Sequence, residues 1–137
     1  MKIITISSFK DWINYKNDNL NLNKYIFYIS ANWCKPCTAL KPELLDFLES
    51  LNFNLIVIQL NYDIYIEEPQ FENIITIKKI PHFSFFINNK LINSIETSKF
   101  NEISVLIKQF IENNNINDGF NNIESISNNN FELLDEF

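Results

Sequence analysis

The chain's two cysteines, Cys34 and Cys37, stand three residues apart in Trp33-Cys34-Lys35-Pro36-Cys37. The apolar run Tyr25-Ile26-Phe27-Tyr28-Ile29 precedes them and a leucine-rich segment follows. A Cys-x-x-Cys at a strand-to-helix boundary, in a chain with no other cysteine, points to redox chemistry. Positions i and i+3 share one face of a helix, so two sulfurs at that spacing can close a small disulfide with little rearrangement. With Cys34 at the helix N-terminus, unpaired backbone N–H groups and the macrodipole favour its thiolate. Lys35 adds a nearby positive charge, and Pro36 suits a first turn, where its missing N–H removes no helical bond. Two blander readings compete. Structural zinc commonly takes four ligands from two such pairs, and only His82 and scattered carboxylates remain to complete a set. The pair could also be a remnant kept for the fold alone. Spacing and flanking residues favour the dithiol, and no metal or cofactor is expected.

The elements that must position this motif read as follows. Lys2–Ile6 alternates weakly, as a short strand does. Ser8 with Asp11 three residues on resembles a capping box and opens a helix carrying Phe9, Trp12 and Ile13. Asn17 to Asn23 is a polar loop. Tyr25 to Ser30 is continuous enough for a central strand buried on both faces. The helix after the cysteines carries Leu40, Leu44, Leu45, Phe47, Leu48 and Leu51, and Pro42 is expected to kink it. Asn54 to Tyr62 reads as the next buried strand and Glu67 to Ile77 as a helix. After Ile80-Pro81, the run His82-Phe83-Ser84-Phe85-Phe86-Ile87 turns at Asn88-Asn89 into Lys90–Glu96, a hairpin pattern. Lys99–Glu112 closes the body as an amphipathic helix. The order β-α-β-α-β-α-β-β-α implies an α/β fold, a central mixed sheet of parallel strands with an antiparallel edge, flanked by helices.

Composition narrows the partners. The 137 residues carry a net charge of −6 and are 46% hydrophobic, with 13 Phe to build a core. All 11 basic residues are lysine, so bidentate recognition of phosphate is lacking and nucleic acid is not an expected partner. The opening Met1–Phe9 turns polar too quickly for a signal peptide, and no apolar stretch approaches the ~18 residues that cross a bilayer. A cytoplasmic location without membrane association is therefore expected, a setting in which a lone cysteine pair is more often catalytic than structural.

The element order and Trp33-Cys34-Lys35-Pro36-Cys37 together resemble thioredoxin, over about residues 1 to 113. Ala31 and Trp33 sit where that family keeps Ala and Trp. Pro42 falls at its helix proline, Leu60-Asn61-Tyr62-Asp63 resembles the end of its third strand, and Ile80-Pro81 fits its cis-proline loop. The resemblance implies a protein-disulfide oxidoreductase with Cys34 as the attacking thiol and Cys37 as the resolving one. It implies disulfide-containing protein substrates, a reductase or thiol reductant that recharges the pair, and a place in electron transport and cell redox homeostasis. Substrate would lie against Trp33, Ile80 and Pro81, with the Ile80 backbone as the edge for an extended chain. Glutaredoxins match less well: the Pro-Tyr between the cysteines, the Val before the cis-proline and the downstream Gly-Gly-Asp are missing.

The chain also departs from the thioredoxin pattern. Tyr28 stands where the family buries an aspartate, Gln59 replaces the usual lysine partner, and Lys35 replaces glycine. Asn89 and Thr97 lie near family glycines. Losing the buried pair together avoids an unpaired charge. His82 follows the proline and is a candidate proton shuttle, although a solvated strand-end residue is the simpler expectation. Residues 114–137 form an Asn-rich acidic tail whose Phe131–Phe137 segment could recruit a protein partner. A thioredoxin-fold binding or assembly protein, with incidental or regulatory cysteines and that tail as its recruiting element, is the alternative function.

Overall fold

The computed structural model describes residues 1–19 and 23–112. Along the chain run β1 (Lys2–Ile6), α1 (Phe9–Asp18), β2 (Lys24–Ser30), α2 (Lys35–Ser50), β3 (Ile56–Asn61) and α3 (Tyr62–Glu67). A 3₁₀ turn (Pro69–Asn73), β4 (His82–Ile87), β5 (Lys90–Glu96) and α4 (Phe100–Glu112) follow. Met1–Val105 forms one compact unit and contains the entire sheet. A second unit begins at Leu106, and its described part is the last turns of α4. The tail expected from residue 114 lies outside the described residues, as do residues 20–22 of the expected loop.

The five strands lie in the order β1-β3-β2-β4-β5. β1 and β2 run parallel to β3, while β4 is antiparallel to β2 and β5 to β4. This is the expected mixed sheet. β2 is its middle strand, and Tyr25 through Ile29 are all buried. Successive strand residues face opposite sides, so burial of five in a row means that both faces of the sheet are covered. Two cross-strand ring pairs join β2 to β4, one on each face. Tyr25 stacks on Phe86 with centroids 5.1 Å apart, and Tyr28 stacks on Phe83 at 5.0 Å. Trp12 of α1 meets Phe27 edge-on at 4.8 Å, which seats that helix on one face. The core on that side includes Ile6, Ile29, Ile58, Leu60, Tyr65 and Phe71.

Helix ends follow local chemistry. Ser8 caps α1 by accepting the Asp11 N–H at 2.9 Å, as expected of the Ser8/Asp11 pair. Asp11 reaches back to the Ser7 N–H, also at 2.9 Å, and not to that of Ser8. The helix then runs to Asp18, past the point where a loop was expected. α2 runs unbroken through Pro42, which sits on its exposed side, and buries Cys37, Leu40, Leu44 and Leu48.

The helix expected over Glu67 to Ile77 is corrected. α3 begins at Tyr62, because the Asn61 side chain accepts the Asp63 N–H at 2.7 Å and caps a helix directly after β3. It ends at Glu67 because Pro69 disfavours the helical region for Glu68, which is extended at φ −123° and ψ 93°. A 3₁₀ turn follows. Beyond it the Tyr65 hydroxyl donates to the Ile75 carbonyl at 3.0 Å and accepts from the Ile77 N–H at 3.3 Å. A buried side chain, not a helix, therefore orders the path toward Ile80.

The β4–β5 hairpin turns on Asn88 and Asn89, both in the left-handed region at φ 52° and 64°. Two such residues make the turn whose twist matches the flanking strands, and asparagine tolerates it where branched residues do not. One extra residue of β5 is accommodated next to Phe85/Phe86: Phe86 pairs with Leu91, but Phe85 pairs with Asn93. Replacing Asn88→Val should lower stability by about 1–2 kcal/mol, the cost of forcing a branched residue into that region. Urea unfolding with an unchanged m-value would check it.

Candidate active site

The parallel strands β2 and β3 end side by side at Ser30 and Asn61, and the chain leaves them toward Cys34 and Tyr62. Crevices at the carboxyl ends of such strands are where α/β sheets hold their chemistry. Ala31 accepts the Cys34 N–H at 3.1 Å, a tight turn that sets Cys34 as the N-cap of α2. Capping is normally done by an oxygen; here the Cys34 sulfur accepts the Cys37 N–H at 3.2 Å. Cys34 and Cys37 are joined as a disulfide with Cα atoms 5.3 Å apart, and the described residues contain no free cysteine. The first turn of α2 carries no acidic residue, so no carboxylate of its own opposes the positive end of the helix and the exposed Lys35 beside it. Once the bridge is reduced, that field and the Cys37 N–H stabilise a thiolate at Cys34. Of the two sulfur residues Cys34 is the more open, at 6% exposure against 2% for Cys37.

Apolar neighbours surround the bridge. Ala31, Cys34 and Cys37 form a small cluster against which Tyr62 and Ile80 pack. The Ile80 carbonyl oxygen lies 3.8 Å from the Cys34 sulfur. The Ile80–Pro81 bond is cis, as the family resemblance implied. Trp33 is 62% exposed, yet its position is fixed: its indole N–H donates to the Asp63 carboxylate at 3.2 and 3.3 Å, and its ring meets Tyr62 edge-on. Lys35 and Pro36 are exposed and Pro81 is buried. The tertiary fold thus brings Trp33, Cys34 and Ile80 to one place from sites up to 47 positions apart in sequence order.

Behind the cysteines the departures from the family pattern fit together. Tyr28 and Gln59 face each other in the β2–β3 register, so the carboxylate and the amine are replaced as a neighbouring pair. Burial pushes the Tyr28 phenol up and Ser30 offsets part of the rise, so Tyr28 stays neutral.

His82 is not the solvated strand-end residue expected; it is 1% exposed. Its Nδ1 lies 2.8 Å from Glu96 Oε2 and its Nε2 lies 2.6 Å from the Ser84 hydroxyl. Burial lowers the imidazole's pKa from 6.5, and Glu96 only partly opposes this. For Glu96 burial works upward, but the Lys78 N–H, the His82 hydrogen bond and the Lys79 N–H outweigh it, and the carboxyl ends below 4.5. Both directions describe one state: a neutral ring donating from Nδ1 to a carboxylate and accepting the Ser84 O–H at Nε2. Both ring nitrogens are committed to partners other than sulfur. Among the described residues no cluster of three or more His, Cys, Asp or Glu side chains could hold a metal, and no helix is long and apolar enough to cross a membrane.

A mixed sheet of this order, with a disulfide at the cap of the helix after its middle strand and a cis-proline loop against it, defines a thioredoxin-fold dithiol protein. The thioredoxin family model matches residues 2–112, and the chain belongs to that family. No curated protein matches it in sequence. Among solved structures, the reduced thioredoxin pre-protein of Schistosoma mansoni is 20% identical with a TM-score of 0.66, covering 81% of this chain and all (100%) of its own. The germline-specific thioredoxin Deadhead of Drosophila melanogaster is 14% identical at a TM-score of 0.65, covering 78% of this chain and 98% of its own. The oxidised thioredoxin of Plasmodium falciparum is 18% identical at 0.63, covering 80% of this chain and 98% of its own. At such identities these structures establish the fold. Family, fold and the paired cysteines together support thiol–disulfide oxidoreduction.

Glu96 and Ser84 escaped the sequence reading. The available signal was Ser84, a lone hydroxyl inside Phe83-Ser84-Phe85, two residues from His82 and so on the same strand face. As the pH falls from neutrality, an unfolded His82 takes up its proton before the buried one does. The unfolded state then binds more protons, so stability declines below about pH 6.5. Glu96, whose folded value is depressed, adds a second loss in the same direction as the pH passes below its ordinary 4.5. The urea midpoint should therefore fall between about pH 7.5 and pH 5.5 in the parent chain and stay nearly flat over that range in His82→Gln.

Proposed function

We propose that the protein exchanges disulfides with protein substrates through the Cys34/Cys37 pair. The observation that carries this reading is a sulfur serving as the cap of α2, with an N–H aimed at it and no acid in the helix's first turn. The Cys34 thiolate attacks one sulfur of a substrate disulfide, forming a mixed disulfide and releasing the other substrate sulfur as a thiolate. Cys37, deprotonated, then attacks the Cys34 sulfur; the Cys34–Cys37 bridge forms and the second substrate sulfur leaves and takes a proton. The two electrons that reduce the substrate come from the dithiol, which a reductase or small thiol must restore. Cys34 takes the attacking role because it is the more open sulfur and because it occupies the cap.

Substrate docks along Trp33, Ile80 and Pro81. Trp33 offers an exposed, anchored ring, and the Ile80 carbonyl beside Cys34 brings a backbone edge next to the reacting atom. Lys35 and Pro36 shape the first turn of α2. His82 serves poorly as the proton acceptor for Cys37, because both ring nitrogens already have partners. A cytoplasmic setting suits a dithiol of this kind, whose work depends on a reducing pool.

Cys34→Ser should abolish turnover, while Cys37→Ser should accumulate the mixed disulfide with substrate, seen as a mass adduct under non-reducing conditions. Retained turnover in Cys34→Ser would overturn the role given to Cys34, and a parent chain that shows no turnover at all would overturn the reading in favour of a binding role. The added charge of Lys35 stabilises the thiolate, and a stabilised reduced form raises the potential. Equilibration with glutathione should place the pair above the value of about −270 mV typical of thioredoxin, and Lys35→Gly should lower it.

A further inference from the structure

The carboxylate of Glu96 closes β5, directly opposite His82 at the start of β4. Its Oε2 receives two donors at once, the backbone N–H of Lys78 at 2.7 Å and the His82 Nδ1 at 2.8 Å. Those two donors bracket Ile80-Pro81, one on each side. Lys78 is exposed, so without Glu96 its amide would be free to bond to water. The His82 ring is in turn held at Nε2 by the buried Ser84 hydroxyl, which fixes the direction of the Nδ1 bond. The effect is a clasp from the far strand of the hairpin onto the loop whose Ile80 oxygen lies beside the Cys34 sulfur.

We infer that Glu96 is a positioning residue, whose carboxylate holds the Lys78–Pro81 segment in the shape that an extended substrate backbone pairs with. The inference rests on the oxidoreductase reading above for its substrate, and on the hydrogen bonds to Glu96 for its geometry. Pairing along a strand edge draws its affinity from main-chain hydrogen bonds, and a loop ordered beforehand saves the cost of ordering it on binding. Glu96 touches neither sulfur in this arrangement. Its loss should therefore weaken docking and leave thiolate chemistry alone.

Steady-state reduction of insulin and of bis(2-hydroxyethyl) disulfide, with dithiothreitol as recycling reductant, separates the two effects. Insulin needs the backbone edge and the small disulfide does not. Glu96→Ala should raise the KM for insulin about tenfold, the effect of losing a charge-assisted bond, with kcat within about twofold. The rate with the small disulfide should stay within about twofold of the parent. Glu96→Gln should remain within about threefold of the parent KM, since the Lys78 and His82 donors converge on one oxygen that an amide carbonyl can replace. An unchanged KM in Glu96→Ala, an equal loss on both substrates, or a glutamine variant as weak as alanine would overturn the inference. Amide hydrogen exchange in the unaltered protein provides a check that needs no variant. Slow exchange at the Lys78 amide is expected, and exchange there at open-chain rates would overturn the clasp. If the parent reduces neither disulfide, the oxidoreductase reading fails, and the exchange measurement still decides the clasp.

Discussion

The burial of β2 on both faces is the constraint on which everything else depends. It is the one strand gripped by β3 on one edge and β4 on the other, and no residue from Tyr25 to Ile29 reaches solvent. A strand held this way cannot slip by one residue without exchanging its two faces, and ring pairs on each face with β4 make such a slip more costly still. Its end at Ser30 is therefore a fixed point. The four residues from Ala31 to Cys34 start from that fixed point, so the cysteine at the cap of α2 inherits the precision of the core.

From that fixed point the site's electrostatics are arranged by backbone more than by charged side chains. The sulfur of Cys34 lies among the N–H groups at a helix start, and Lys35 adds to their field. The family's buried carboxylate is absent, and a stacked, neutral Tyr28 fills the space. A partly buried charge lies instead at the β4–β5 end of the sheet, where Glu96 meets His82. There it serves the loop that borders the cysteines and not the cysteines themselves. Polar side chains support the Ile80-Pro81 loop in place of the carboxylate behind the sulfurs, and the buried His82 and Ser84 there each have a partner.

Much of this was legible from residues alone, and the reason differs by element. β2 could be read because five consecutive apolar residues fit little else at that length. The turn at Asn88-Asn89 could be read because few residues accept a positive φ. α1 could be read from Ser8 and Asp11. The helix after β3 could not, because Tyr62-Asp63-Ile64-Tyr65-Ile66-Glu67 is short and continues the apolar run of the strand without a clear helical period; what decides it is Asn61 as a cap at one end and Pro69 as a stop at the other. His82 was misplaced for a related reason. A lone histidine at a strand start is normally wet, and only a partner for each ring nitrogen makes its burial tolerable.

The sequence by itself determined the chemistry and its carrier: two cysteines at helical spacing, after a strand that can only be central. Those choices are local, set by side-chain type and by periodicity over a few residues. The tertiary structure alone decided what stands opposite what. One extra residue accommodated in β5 shifts the hairpin register, so that Glu96, not Ile95, faces His82. A shift of one residue moves a side chain to the other face of the sheet, and no pattern within either strand records it. The clasp on the loop beside the disulfide exists because of that single step in register.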